Sequence, residues 1–187
     1  MDPVLHSLLS RHSLGGKHLS EPGPDDAALA LMADAALHAP DHAGLVPFRF
    51  IVVRGEQRQR LAALFADAAR DAGKDASGIA LDAERALQVP VTVAVMARID
   101  PGHPQVPAHE QWCAVGGALA MFLQAAHALG YAGKMLSGHK VRHPAIQAAF
   151  CAPGEMLVGW VSLGTAARPL KASPRRLRQA DVLQPWA

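Results

Sequence analysis

Between Ala108 and Leu129 the chain carries its longest uninterrupted helical pattern, and that pattern is apolar almost all round, with Trp112, Val115, Leu119, Met121, Phe122 and Ala126 covering more than one face. A surface helix needs only one apolar stripe, so such a helix belongs either at the centre of a domain or in one half of a subunit interface. Gly116 and Gly117 within it leave room for a neighbour to approach closely. The 187 residues around it suffice for a single domain, 1–187, with its own core.

The rest of the chain reads as a mixture of helices and strands without regular alternation. Leu5, Leu8 and Leu9 at helical spacing behind Pro3 predict a short amphipathic helix ending before Leu14-Gly15-Gly16. Pro24-Asp25-Asp26 opens a second helix that runs through Leu37 and is closed by Pro40. A strand follows at Phe48–Val53, then helices at Glu56–Ala72 and Ile79–Leu87, with a turn at Gly73–Gly78 between them. Val91–Ala97 is apolar throughout, which marks a central strand covered on both faces. After Gly130 the pattern predicts a strand through Leu136, a polar turn at Ser137-Gly138, a helix at Pro144–Phe150 and a strand at Met156–Leu163. From about residue 165 the Pro- and Arg-rich remainder reads as an extended C-terminal arm. The expected class is α+β, a sheet of about four strands with helices on both sides.

Composition narrows the functions open to such a domain. Half of the residues are apolar and 18% are charged, with a net charge of +2. That balance excludes charge-driven disorder and is too weak to imply nucleic acid, so a small-molecule partner is expected. Cys113 and Cys151 form no CxxC pair and sit in apolar surroundings, where two buried thiols are expected rather than a disulfide or zinc site. The start MDPVLHSLL lacks a basic, cleavable leader, and no apolar run is long enough to span a bilayer, so the expected location is the cytoplasm. There is no GxGxxG after a strand, no P-loop around Gly133-Lys134 and no GxSxG elbow.

Two basic clusters remain. Arg11-His12-Ser13, followed by glycines and Lys17, suits an anion such as phosphate, or equally a basic helix end that complements the macrodipole. His38 and His42 flank Pro40, which breaks the helix that would place them on one metal-binding face. They are then loop histidines, or imidazoles presented to a ligand from a rigid turn.

These segments carry a resemblance. Arg11-His12-Ser13, then Ala39-Pro40-Asp41-His42 leading into Pro47–Val53, Gly130-Tyr131-Ala132-Gly133, Gly164-Thr165 after an apolar strand, and Leu170-Lys171-Ala172-Ser173 together resemble the nitroreductase family, in particular its small YdjA-like subgroup. The resemblance implies FMN-dependent transfer of a hydride from NAD(P)H to an electron-poor acceptor of nitroaromatic or quinone type. It also implies a homodimer with FMN at the subunit interface, and a mostly antiparallel sheet completed by a strand or arm of the partner. Arg11, His12 and Ser13 would clamp the phosphate and ribityl chain, with Lys171 and Arg168 reaching the phosphate from the C-terminal side. Met135, Leu136 and Ser137 would offer backbone contacts to the ring, while His38 and His42 would lie against FMN across the interface. Lys17 and His38 are the candidates for positive charge near the ring's N1 and O2. The segment Ala125–Gly130 falls where the subgroup meets the nicotinamide cofactor, or is an apolar helix end.

The chain departs from the family pattern where Gly15 replaces a basic residue and where Val46 and Phe48 replace Gln and Trp. The altered substrate side leaves a second reading, a flavin-binding protein for storage, delivery or redox sensing. A third is an interaction module docking an acidic partner through Arg175-Arg176-Leu177-Arg178.

Overall fold

The apolar segment Val91–Ala97 is a strand with every residue buried, and the molecule is organised around it. The computed structural model describes residues 1–168 and 177–186. Among these residues the sheet has five strands: β1 (Leu19–Ser20), β2 (Phe48–Arg54), β3 (Val91–Ala97), β4 (Ala132–Leu136) and β5 (Met156–Ala166). Every pairing is antiparallel. Strand β3 runs between β2 and β5, and β4 also pairs with β5. Among the described residues six α-helices flank the sheet: α1 (Pro3–Ser10), α2 (Asp26–Leu37), α3 (Gln57–Asp71), α4 (Ala76–Leu87), α5 (Ala108–Ala128) and α6 (Pro144–Phe150).

Alternation along β3 builds two apolar layers. Val91, Val93 and Val95, with Val161 and Leu163 of β5, pack against Met32 and Ala36 of α2 and Ala118, Phe122 and Ala126 of α5. On the opposite face Ala94, Met96 and Trp160 meet Leu61 and Phe65 of α3, Ala86 of α4 and Ile146 of α6. Trp160 makes edge-to-face contacts with two rings, Phe65 at 5.3 Å and Phe150 at 5.1 Å between centroids. Between Val95 and Met96 the β3–β5 register steps by one residue, so that Gly159 and Leu157 are paired while Val158 is skipped.

Several expectations are corrected. The sheet gains the short strand β1, which pairs Leu19 and Ser20 with Ala166 and Thr165. Strand β5 therefore continues past Leu163 to Ala166, through residues expected to begin the arm. Helix α4 starts three residues before Ile79, because the Asp75 side chain accepts from the Gly78 N–H at 2.8 Å and caps a first turn that reads as a loop in sequence. Helix α5 buries one face through Ala114, Val115, Ala118, Phe122 and Ala126, but Trp112 and Met121, on its two opposite flanks, are exposed in the single chain. Cys113, opposite the buried face, is exposed, and Cys151 is half-buried, so neither is the buried thiol expected. No helix among the described residues is long and apolar enough to cross a membrane.

Candidate functional site

The chain leaving α1 is drawn along β4. The Leu14 N–H donates to the Gly133 carbonyl at 3.1 Å, and the Leu14 side chain buries itself with Leu19 and Val89. This anchoring turns Gly15, Gly16 and Lys17 over the sheet face that carries Trp160, where they form the rim of a cavity of about 430 Å³. Thr92, Ser162 and Trp160 of the central strands line it, as do Phe65 of α3 and Arg85 and Ala86 of α4, followed by Gln88 and Val89. The remaining wall is Lys134 and Leu136 of β4 with the turn from Ser137 to Lys140 that follows. Aromatic and aliphatic surface thus meets Lys17, Arg85, Lys134 and Lys140, and the described lining contains no carboxylate. The size and the mixture suit a ligand with a large apolar body and anionic or electron-rich oxygens.

The cations are not all equally free. Arg85 and Lys140 are bound to Asp82, whose side chain is fully buried beneath them, at 2.9 and 3.0 Å. Lys74 holds the second carboxylate oxygen at 2.7 Å. Burial pushes the Asp82 carboxyl up, but the hydrogen bonds and charges of Lys74 and Lys140 outweigh it and hold the group at about 2.

A smaller pocket of about 220 Å³ lies along the same loop, lined by Arg11, His12, Leu14, His127, Tyr131 and Gly133 among others. His12 Nδ1 lies 3.2 Å from the Ser10 carbonyl, and its Nε2 is buried without a partner among the described residues. His127 Nε2 is 3.0 Å from the Ser10 hydroxyl. Burial lowers the His127 pKa, and the charges of Arg11, His12 and His6 lower it further.

The structure therefore gathers part of the expected set. Lys17, Leu136 and Ser137 line the larger cavity, and the Ser137 hydroxyl donates to the Val158 carbonyl at 3.1 Å. Arg11 and His12 line the smaller one, while Ser13 between the two is exposed. Met135 alternates to the other sheet face and packs toward α2 and α5. His38 and His42 are exposed and line neither cavity, and His42 Nδ1 sits 2.7 Å from Glu110 Oε2 of α5. Arg168 is exposed at the end of a described stretch, and Lys171 lies outside the described residues.

Sequence reasoning missed Arg85, Lys134, His139 and Lys140. Lys134 was within reach, since a strand that turns Met135 to one face turns Lys134 to the other. Arg85 and Lys140 meet only through Asp82, across 55 residues of chain that no local pattern bridges.

Comparison with known proteins places this geometry in a lineage. The sequence profile described as the Nitroreductase family matches residues 8–165. A protein of Escherichia coli K12 named "Putative NAD(P)H nitroreductase YdjA" is 34% identical over 171 residues, 91% of each chain. A crystal structure of a nitroreductase-like protein from Bacillus cereus superposes with a TM-score of 0.80 at 19% identity, covering 100% of this chain and 97% of the other. A nitroreductase from Desulfitobacterium hafniense, crystallised with bound FMN, gives 0.68 at 21% identity with both chains fully covered.

Proposed function

Because the chain belongs to the nitroreductase family, we propose that it is an FMN-dependent oxidoreductase that passes a hydride from NAD(P)H to an electron-poor acceptor such as a nitroaromatic or a quinone. The observation that carries this reading is the cavity under Gly15–Lys17, where among the described residues a hydrophobic and aromatic lining is paired with four Lys and Arg side chains and no carboxylate. An isoalloxazine ring needs that combination, apolar surface for the ring body and positive charge for its electron-rich oxygens.

Bound FMN supplies the hydride chemistry, and the chain needs no nucleophile of its own. Lys17 and Lys134 place positive charge in the cavity, where it favours the anionic form of a reduced ring. The extended backbone around Leu136 and Ser137 forms one wall, fixed by the bond from Ser137 to Val158. Arg11, with His12 and Ser13, is assigned the phosphate end, joined by Arg168 and Lys171 from the C-terminal side. The orphaned His12 Nε2 beside Arg11 is a ready donor to such an oxygen when protonated.

His38 and His42 lie outside the cavity of their own chain and are assigned to the site of a second copy. Exposed Leu5, Leu8 and Leu9 of α1, Trp112 and Met121 of α5, and Leu177, Val182, Leu183 and Trp186 of the C-terminal arm support a homodimer, since an isolated monomer would leave them in water. Strand β2, which pairs only with β3 among the described residues, offers an open edge to a partner's arm.

Absorbance of the purified protein tests the cofactor: a flavin spectrum is expected, and none even after incubation with FMN would overturn the reading. Steady oxidation of NADH or NADPH with a quinone or nitroaromatic tests the reaction. FMN retained without such turnover would instead support storage or redox sensing, the reading favoured by Val46 and Phe48 on the substrate side.

A further inference from the structure

Asp82 touches neither cavity, yet two of its three cationic partners line the larger one. Its side chain is fully buried, and such a carboxylate is costly unless charged donors replace the lost water. Here one oxygen takes Arg85 and Lys140 and the other takes Lys74. Arg85 is on the same helix as Asp82, three residues along, whereas Lys140 comes from the turn after β4. The carboxylate therefore fastens α4 to the turn after β4, and both elements line the cavity. Lys140 is further fixed over the Phe65 ring, 5.2 Å from its centroid, and Phe65 is itself a lining residue. A lysine without these partners would extend into water, where its charge is screened from the cavity.

We propose that Asp82 is a positioning residue for the flavin site, holding Lys140 and Arg85 at the cavity wall so that their charge acts on the bound ring. The inference rests on the flavin reading above. A cation held near the ring in a partly enclosed site stabilises the reduced, anionic flavin more than the oxidised, neutral one, so holding it there raises the midpoint potential. Released into solvent, the same cation contributes little.

The test is the two-electron midpoint potential of FMN-loaded wild type, Asp82→Asn, Lys140→Met and the double variant, with thermal unfolding of each measured in parallel. A lower potential is expected in both single variants. Asp82→Asn should lower it less in the Lys140→Met background than in wild type, because part of its effect passes through Lys140. An unchanged or raised potential in Asp82→Asn, or fully additive shifts, would overturn the proposal, since a merely structural carboxylate would alter unfolding alone. If Asp82→Asn does not fold, Lys140→Met decides the matter, and an unmoved potential there overturns it. Failure of wild type to hold any flavin would instead sink the parent reading, a result visible before any potential is measured.

Discussion

Arg11 shows how a residue's chemistry was legible before its surroundings were. Its place at the end of α1, followed by His12 and Ser13, suggested an anion, and the structure sets it in a pocket with His12 and His127. Replacing Arg11 with Ala should weaken FMN binding by about 1.5–3 kcal/mol, the range for a hydrogen bond to a charged group. Fluorescence titration checks this, and unchanged affinity would remove Arg11 from the phosphate end. Two buried carboxylates carry a separate prediction. Hydrogen bonding to Arg49 outweighs the upward push of burial and holds Glu155 at about 2, where the Lys74 and Lys140 contacts also hold Asp82. Both folded values lie below the ordinary ones, so the stabilisation is complete above about pH 4.5 and is lost as pH falls toward 2, at about 2–3 kcal/mol for each group. Urea unfolding at pH 5, 3.5 and 2.5 should show that decline, and Glu155→Gln should flatten its own share. Val46 could not have been singled out as strained from sequence. Its φ of 47° puts a β-branched residue in the left-handed region, where the bond from its N–H to Asp41 helps to hold it.

At the scale of elements, the helical and strand periods located α1, α2, α3, α5, α6, β2 and β3 to within about two residues. What they missed was decided by single contacts rather than by pattern. Helix α4 begins early because one carboxylate caps it, and β1 exists because Thr165 and Ala166 present an edge to a segment of only two residues. Close strand packing gives the sharpest test here. A Cβ added at Gly133 would fall on the Ser162 carbonyl oxygen, and one at Gly159 on the Leu136 carbonyl oxygen. Backbone cannot yield as a flexible side chain can, so Gly133→Ala or Gly159→Ala should cost about 3 kcal/mol or more. Chemical denaturation measures it, and a loss under 1 kcal/mol would mean that β4 can move away from β5.

For the whole molecule, the apolar helix from Ala108 posed a choice between domain centre and subunit interface. In the structure one face of it lies in the core, while Trp112 and Met121 on its flanks are exposed. Sedimentation of the FMN-loaded protein should therefore report a dimer, and a monomer that retains FMN tightly would contradict the interface site. The order of segments along the chain could be read because each has its own period, but the cavity could not, since its wall comes from residue 65 and from stretches near residues 15–17, 85–92, 134–140 and 160–162. That dispersal bears on folding. No fragment of the chain and no partly folded intermediate lacking one of these stretches presents the whole wall, so a ligand that needs it distinguishes the native state from every other. Such a ligand adds to the unfolding free energy as the logarithm of its concentration over its dissociation constant, about 2.7 kcal/mol at a hundredfold excess. In a cell short of flavin, the same chain would spend more of its life open to proteases, and its abundance would follow the supply of its cofactor.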